Sequence, residues 1–251
     1  MKRISIIIAT FNAGRTLQNC LDSIRGQKDD DIELLIIDGK SIDGTVDIVN
    51  RNKALVDYFV SESDHGIYDA WNKGILASHG QWILFIGADD KLMPGALDRY
   101  RLFLTKSTDS YDYISARAYY LNQFGKVIKI IGGKWNWKTF QTKMTVVHVA
   151  SLHNRNLFEE VGFFDTTYKI CADYELLLRK KDKLKAYFLN EVVVQMQAGG
   201  VSMSKKAIVE TCEILDKYVA RNSLARLFLV VWKYFSYYLF LLKMKLKDLF
   251  L

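Results

Sequence analysis

The sequence predicts an α/β protein built on a mostly parallel sheet with helices on both of its faces. Short apolar runs, beginning with the isoleucine-rich residues 4–9, alternate with segments of helical periodicity as far as residue 105. These runs are almost continuously apolar, which is typical of parallel strands that are buried on both faces. Half of the 251 residues are hydrophobic, so the chain can bury a sizeable core.

Apolar spacing, together with helix and turn signals, defines four strand–helix pairs in the first half. The expected strands cover residues 4–9, 32–37, 58–60 and 82–86. The first expected helix runs from Leu17 to about Gly26, and the second contains Val46 and Val49. The third covers residues 67–76, and the fourth starts at Pro94. Pro94 suits a first helical position because its missing N–H costs little there.

The second half predicts a smaller and less regular mixed sheet. Strands are expected at residues 111–120 and 127–131, and helices around Leu157, at 174–181 and at 205–218. We expect residues 1–220 to form one domain with halves at 1–105 and 106–220, followed by a separate tail at 221–251.

The charge balance favours an anionic partner. The formal net charge is +7, and basic residues cluster near the C-terminus beside an apolar stretch. We expect a membrane surface or a phosphorylated substrate and no nucleic acid, because no nucleic-acid-binding motif is recognisable. The three cysteines are widely spaced and form neither a disulfide framework nor a zinc pattern, which favours a reducing compartment.

The tail predicts an amphipathic helix that binds a membrane surface through residues 224–251. Within residues 227–242, only Lys233 and Ser236 are neither aliphatic nor aromatic, and this stretch is shorter than the ~20 residues of a membrane span. A basic stripe contains Arg226, Lys233, Ser236, Lys243 and Lys247, and an opposite apolar face contains Phe228, Val231, Phe235, Tyr238 and Leu242. A core helix, a dimer contact and a true span are the alternatives.

Acidic residues follow two of the predicted strands directly. Asp38 follows the second strand, and Asp89 and Asp90 follow the fourth. Ligands of open parallel sheets bind at the carboxyl ends of the strands. Two adjacent carboxylates repel each other, and a hard cation such as Mg²⁺ or Mn²⁺ relieves that repulsion. The alternative is that these aspartates merely cap the next helix.

The phosphate-binding loops of two large enzyme classes are missing from the sequence. It contains no G-x-x-x-x-G-K-[ST] loop, which disfavours an NTPase. Residues 10–14 replace the G-x-G-x-x-G turn of dinucleotide oxidoreductases. A bound diphosphate would therefore need a metal ion and one or two cationic side chains.

Three motifs together resemble family 2 glycosyltransferases with the GT-A fold. They are residues 6–12, residues 37–45 and residues 85–90. Residues 61–74 resemble a bacterial subgroup that assembles surface polysaccharides. The resemblance covers roughly residues 3–202 and implies a nucleotide-diphosphate-sugar donor, most often UDP-linked.

The resemblance also implies roles for individual residues in donor binding. Thr10, Phe11 and Asn12 occupy the loop that contacts the nucleotide, and Asp38 matches the carboxylate that accepts a hydrogen bond from the base N–H. Asp89 matches a residue near the ribose or sugar, and Asp90 matches the metal ligand. Lys73 lies where a cation would contact the diphosphate, although a solvated helix lysine explains it equally well.

Inverting transfer needs a base that takes the proton from the acceptor hydroxyl. Residues 171–179 resemble the family's Glu-Asp element, and Asp173 falls on the base position. Ala172 departs from the usual Glu, and a simple helix cap is the alternative for Asp173. His148 stands where related enzymes carry His-Gln, with Val149 in place of Gln, and is either a site residue or a structural histidine.

The predicted function is a metal-dependent inverting glycosyltransferase. It would add one sugar to a glycan or lipid-linked acceptor in polysaccharide, O-antigen or capsule biosynthesis, at the inner face of the cytoplasmic membrane. Single-sugar transfer is expected because the Q-x-x-R-W motif of processive members is missing. The alternatives are a non-catalytic binding module of the same fold, which scaffolds a membrane complex, and a nucleotidyltransferase or sugar-phosphate hydrolase. The sequence does not indicate an oligomeric state.

Overall fold

A nine-stranded sheet runs through the chain in the computed structural model, which describes residues 3–249, with side chains described as far as Leu242. Its strands are β1 (Ile4–Thr10), β2 (Ile32–Asp38), β3 (Tyr58–Ser61), β4 (Trp82–Gly87), β5 (Lys91–Leu92), β6 (Tyr113–Leu121), β7 (Val127–Ile131), β8 (Ser151–Asn154) and β9 (Ala186–Gln197). The order along the sheet is β3-β2-β1-β4-β8-β6-β9-β5, and β7 pairs with β6 outside this path.

Helices cover both faces of the sheet, as the sequence predicts. They are α1 (Leu17–Arg25), α2 (Thr45–Arg51), α3 (Ile67–Ala77), α4 (Ala96–Lys106), α5 (Trp137–Phe140), α6 (Arg155–Val161), α7 (Ala172–Lys180), α8 (Lys205–Tyr218) and α9 (Ser223–Leu249). Along β1, Ile6 and Ile8 join one buried cluster while Ile7 joins the cluster on the opposite face. The strand is therefore buried on both sides, which explains its continuous apolar run.

The first four strands are parallel, and their carboxyl ends are level. Thr10 pairs with Asp38, Asp38 pairs with Ser61, and Ala9 pairs with Gly87. β8 then pairs antiparallel with both β4 and β6, so the same sheet continues into the second half of the chain. Residues from separate strand ends are thus brought to one edge.

The second half contains elements that the sequence pattern does not reveal. β5, β8, β9 and α5 have no counterpart among the expected elements. Asn190 and Glu191 interrupt the apolar run of β9, and its register with β6 shifts between Ser115 and Arg117. In the first half, α4 begins at Ala96 rather than at Pro94, because Gly95 has a φ of 73° and lies before the helix.

The tail helix α9 lies along α8 and leaves one side uncovered. Its Arg226 pairs with Asp216 at 2.6 Å, and Lys233 Nζ donates to the carbonyl of Thr142 at 3.0 Å. Phe228 and Phe235 on the other side are 69% and 56% exposed. The segment Ser223–Leu242 is long and apolar enough to cross a membrane by length and composition alone.

The basic stripe of the tail faces the protein body where it is described. Lys233 and Ser236 both line a cavity between α9 and the rest of the chain. The apolar face of the helix is therefore the outer face. Lys243 and Lys247 of the stripe lie outside the described side chains.

The close approach of α3 to β1 depends on a glycine. A Cβ atom on Gly74 would lie 2.5 Å from Cγ2 of Ile7. We therefore expect Gly74→Ala to lower the free energy of unfolding by about 1–3 kcal/mol, despite the better helix propensity of alanine. Urea denaturation at constant slope measures the change.

Gly26→Ala is the matched control for this substitution. Gly26 has a φ of −78°, and a Cβ atom there would meet nothing within 4 Å. This variant should be neutral or more stable by about 0.5–1 kcal/mol. Equal stability of the two variants would contradict the tight α3–β1 packing.

Candidate active site

Two adjoining cavities open at the carboxyl edge of the parallel strands. The β1–α3 cavity has a volume of about 480 Å³ and is lined by Ala9, Thr10, Phe11, Gly39, Ser63, Asp64, Gly66 and Ile67. The central cavity has a volume of about 320 Å³, and Asp89, Asp90, His148 and Asp173 are among its lining residues. Ile67 lines both, so the two cavities are neighbours.

Asp38 lies beneath the β1–α3 cavity and joins three strand ends. It is fully buried and accepts hydrogen bonds from Thr10 Oγ1 at 2.8 Å and Ser61 Oγ at 2.6 Å. Ser41 donates to it twice, from its amide at 2.9 Å and its hydroxyl at 2.6 Å. Burial raises the pKa of Asp38, but these hydrogen bonds outweigh burial and hold the pKa below its usual value. Both carboxylate oxygens are occupied by the protein itself.

The loop after β1 is fixed against the loop after β2. The amide of Asn12, a residue with a φ of 50°, donates to Ser41 Oγ at 2.8 Å. Asn12 Oδ1 accepts from the amide of Ile42 at 3.1 Å. The ring of Phe11 is 69% exposed at the rim of the β1–α3 cavity. Asn12 therefore positions the loop, whereas Thr10 and Phe11 face the cavity.

The carboxylate that lines the β1–α3 cavity belongs to Asp64, a residue the sequence analysis does not select. A Cβ atom on Gly39 would lie 2.6 Å from Asp64 Oδ2, so this oxygen occupies the space that a side chain at position 39 would fill. The other oxygen, Oδ1, accepts from the amide of Gly66 at 2.9 Å. The usable signal in the sequence is that Asp64 lies within the 61–74 motif, two residues before Gly66.

Asp89 and Asp90 converge on the backbone of Gly87. A Cβ atom on Gly87 would lie 2.7 Å from Asp90 Oδ2 and 2.9 Å from Asp89 Oδ1. Asp89 is exposed, whereas Asp90 is buried. Burial and the neighbouring charge of Asp89 raise the pKa of Asp90 to about 8. Neither residue caps a helix, because α4 begins later, with Gly95 at its N-cap.

This acidic pair fits a hard divalent cation. A cation beside the pair would offset both causes of the raised pKa of Asp90. Within the described residues, no group of three or more His, Cys, Asp or Glu side chains is placed to hold a metal. Mg²⁺ typically takes one or two protein carboxylates and completes its shell with water and phosphate oxygens, which matches this arrangement.

Asp173 lies in the first turn of α7 and lines the central cavity. Tyr68 Oη lies 3.0 Å from its Oδ1 and 2.7 Å from the carbonyl of Ile170. Burial raises the pKa of Asp173 to about 6, although hydrogen bonds from Tyr68 and from backbone amides oppose that rise. The N-cap position of α7 is held by Cys171, so capping does not account for Asp173.

Glu210 of α8 supports the segment that leads into α7. Its carboxylate accepts from the amides of Lys169 at 2.6 Å, Ile170 at 2.7 Å and Cys171 at 2.6 Å. A carboxylate with three backbone donors fixes a loop firmly. Glu210 is thus a positioning residue for Asp173, and sequence reasoning does not find it because the two lie on different helices.

Two lysines near the site differ in whether they line a cavity and in whether a carboxylate pairs with them. Lys73 lines neither cavity, and its Nζ lies 2.8 Å from Glu62 Oε1 and 3.6 Å from Asp69 Oδ2. Lys169 lines the central cavity and donates to the carbonyls of His65 at 3.0 Å and Thr166 at 2.8 Å. Among the side chains described, no carboxylate pairs with Lys169, so this cation is available to a ligand.

His148 forms part of an aromatic wall of the central cavity. Its ring centroid lies 4.7 Å from that of Trp71 and 5.2 Å from that of Phe85. Burial, and then the neighbouring His153, hold the pKa of His148 well below its usual value, so the ring is neutral. His148 therefore fits both interpretations. Its ring is buried and packed like that of a structural histidine, and it also lines the central cavity.

Comparison with known proteins supports the fold and the family. The sequence model of glycosyl transferase family 2 matches residues 5–160. A "PGL/p-HBAD biosynthesis glycosyltransferase" of Mycobacterium tuberculosis is 32% identical over 212 residues, which cover 79% of this chain and 78% of the relative.

Solved structures with low sequence identity share the fold. TarS of S. aureus (residues 1–349) in complex with UDP-GlcNAc aligns with a TM-score of 0.66 and 14% identity, over 86% of this chain and 71% of that one. Glucosyl-3-phosphoglycerate synthase of Mycobacterium tuberculosis, in complex with Mn²⁺, UDP and glucosyl-3-phosphoglycerate, aligns with a TM-score of 0.64 and 15% identity, over 88% and 82% of the two chains. The expected GT-A fold is confirmed, and the chain belongs to glycosyl transferase family 2 and is a glycosyltransferase.

Proposed function

We propose that the protein is a metal-dependent, inverting glycosyltransferase that moves one sugar from a UDP-sugar to an acceptor hydroxyl. The observation that carries this proposal is the shared central cavity, which the Asp89–Asp90 pair and Asp173 both line. A cation site and a carboxylate with a pKa of about 6 are the two groups that this chemistry requires.

The β1–α3 cavity takes the nucleoside of the donor. Phe11 offers an exposed ring for stacking on the base, and the free oxygen of Asp64 accepts the N–H of uracil. Asp38 was the expected base contact, but its oxygens are used by Thr10, Ser41 and Ser61, so we assign it the role of positioning this edge. UDP and UDP-GlcNAc are ligands of structurally similar proteins, which supports the choice of donor.

Asp90, with Asp89 beside it, would hold Mn²⁺ or Mg²⁺. When bound, such an ion neutralises the diphosphate and stabilises the charge on the departing UDP. Lys169, which lines the same cavity, contributes a second positive charge, a role that the sequence analysis offered for Lys73 beside that of a solvated helix lysine. Three of the similar structures contain Mn²⁺, which supports a divalent cation.

Asp173 acts as the general base. Its carboxylate takes the proton of the acceptor hydroxyl while the hydroxyl oxygen forms the new bond to the anomeric carbon. The bond from that carbon to the diphosphate breaks on the opposite face, its electron pair leaves with UDP, and the anomeric configuration inverts. His148, neutral and packed on Trp71, forms part of the cavity wall beside the reacting atoms.

The outer face of α9 attaches the enzyme to the cytoplasmic face of a membrane. Phe228, Val231 and Phe235 are exposed there, and the net charge of +7 favours an anionic lipid surface. A lipid-linked glycan is the acceptor class that this location favours. Its elongation by single sugars would be a step in building a surface polysaccharide, O-antigen or capsule.

Nucleotide binding tests the donor site, with thermal stability as the readout. UDP with Mn²⁺ should stabilise the wild type by about 2.7 kcal/mol at a hundredfold excess over its dissociation constant, and other nucleotides by less. Asp90→Asn should remove the part of UDP affinity that depends on Mn²⁺. Asp64→Ala should weaken UDP binding about tenfold or more, equally with and without the metal.

Asp47→Ala is the control for these variants, because Asp47 is exposed on α2 and lines neither cavity. It should bind UDP like the wild type. If Mn²⁺ strengthens UDP binding normally in Asp90→Asn, the metal site is misassigned. If Asp64→Ala binds UDP with full affinity, the base contact lies elsewhere.

The pH dependence of UDP release tests the base. With water as the acceptor, the rate should fall as the pH drops below about 6, because Asp173 then becomes protonated. Tyr68→Phe removes a hydrogen bond that favours the ionised carboxylate, so the fall should begin at a higher pH. Asp173→Asn should lower the rate at least ~10²-fold and still bind UDP.

Three outcomes of this assay would reject the base assignment or the reaction class. Full activity of Asp173→Asn would remove Asp173 from the chemistry. Release of pyrophosphate or phosphate in place of UDP would identify a nucleotidyltransferase or a hydrolase. UDP binding with no release from any UDP-sugar, even with membrane extract as the acceptor, would favour the non-catalytic binding module.

Sedimentation with anionic lipid vesicles tests the membrane surface. Replacing both Phe228 and Phe235 with Asn should lower vesicle binding more than tenfold, since each buried phenylalanine contributes about 1.5–3 kcal/mol. Phe124→Asn is the control, because Phe124 is 77% exposed but lies outside α9. If the double variant sediments like the wild type, or if it dissociates a dimer instead, α9 is not the membrane anchor.

A further inference from the structure

Asp173 lies at a boundary between two cavities. One is the central cavity, and the other, which we call the α9 cavity, has a volume of about 490 Å³ and lies between α9, α8 and residues 142–144. Both cavities are lined by Met144, Ile170, Asp173 and Ser202. A carboxylate in this position can take a proton from a group in one cavity while that group attacks an atom in the other.

One face of α9 forms a wall of the α9 cavity. The six helix residues that line it recur every three or four positions and are Leu229, Trp232, Lys233, Ser236, Tyr237 and Phe240. Met203, Ala207 and Ile208 contribute apolar surface from the opposite side. A cavity lined in this way suits an alkyl or prenyl chain more than a bare sugar.

Lys233 places a positive charge in these apolar surroundings. Its Nζ donates to the carbonyl of Thr142 at 3.0 Å, and no carboxylate pairs with it among the side chains as far as Leu242. Burial lowers its pKa, because the ammonium loses water without gaining a counter-charge. Lys143 also lines the cavity, whereas Asp173 is the acidic residue among the described lining residues. An anionic ligand group would supply the missing charge.

The α9 cavity is backed by the helix whose outer face is apolar and exposed. Phe228, Val231 and Phe235 lie on that outer face, while Lys233 and Ser236 face the cavity. A lipid held in a membrane under α9 would therefore be separated from the cavity by this one helix. Both surfaces of the helix are therefore suited to the same class of molecule.

We propose that the α9 cavity is the acceptor site and that it binds a lipid phosphate. The hydrocarbon chain would lie along Trp232, Tyr237 and Phe240, and the phosphate would pair with Lys233. The glycan carried by that phosphate then presents its hydroxyl to Asp173 from the side opposite the donor. This inference rests on the proposed glycosyltransferase reaction and specifies its acceptor.

Calorimetric titration of the full chain with dodecyl phosphate, below its micelle concentration, tests the site. The wild type should bind dodecyl phosphate at least ~100-fold more tightly than inorganic phosphate, because burial of the chain adds apolar contact. Lys233→Met keeps the length of the side chain and removes its charge, and should weaken binding at least ~10-fold. Ser236→Phe fills the cavity and should weaken binding by a similar factor.

Lys206→Met is the matched control, because Lys206 is exposed on α8 and does not line the cavity. It should bind dodecyl phosphate like the wild type. All variants are also titrated with UDP in the presence of Mn²⁺. UDP should bind each variant equally, which would show that each is folded.

The two readouts separate the two proposals. If UDP fails to bind the wild type, the proposed donor chemistry is wrong. If UDP binds every variant but neither Lys233→Met nor Ser236→Phe changes the affinity for dodecyl phosphate, the amphiphile binds only to the outer face of α9. That result would overturn the acceptor site. If inorganic phosphate binds as tightly as dodecyl phosphate, the site recognises free phosphate and the lipid assignment is overturned.

Discussion

The buried carboxylate of Asp38 holds together the edge of the sheet on which the β1–α3 cavity opens. A buried charge is costly unless hydrogen bonds replace its water. Thr10 at the end of β1, Ser61 at the end of β3 and Ser41 in the loop after β2 provide those bonds. Through Ser41, the same network fixes Asn12 and therefore the direction in which Phe11 leaves β1. Phe11 and Asp64 line the β1–α3 cavity, and this fixed network lies beneath them.

The carboxylates of this region differ in how far hydrogen bonds from the protein offset their burial. That difference distinguishes a structural carboxylate from those to which we assign a chemical role. Hydrogen bonds outweigh burial at Asp38 and keep its pKa low, so it stays ionised and inert. At Asp90 and Asp173, burial outweighs the available donors, and the pKa values rise to about 8 and about 6. In the proposed reaction, a cation would lower the pKa of Asp90 and the proton of the acceptor hydroxyl would pass to Asp173, so each group would meet a ligand that the protein does not provide.

The sequence predicts the parallel half of the fold well because its signals are local there. Continuous apolar runs end at acidic or glycine residues, and the strands 4–9, 32–37, 58–60 and 82–86 each agree with the structure to within one residue. β8 and β9 are held by pairing with β6, which is distant in sequence, and neither carries a clear pattern of its own. The same limit applies to the site. Whether Asp38 or Asp64, and Lys73 or Lys169, faces a cavity depends on how separate loops pack, which spacing along one segment does not encode.

The amphipathic pattern of the tail illustrates how one helix can serve two surfaces. Periodicity alone identifies a basic stripe and an apolar face, and the usual expectation places the basic stripe in water. Here Lys233 and Ser236 line a cavity against the protein body instead, and Phe228, Val231 and Phe235 are exposed on the outer face. In the proposed arrangement, a helix with this orientation both attaches the enzyme to lipid and forms a wall of the cavity that Asp173 also lines. Membrane attachment and acceptor access would then be one structural property, because any movement of α9 toward or away from the bilayer would change the wall of the cavity that Asp173 lines.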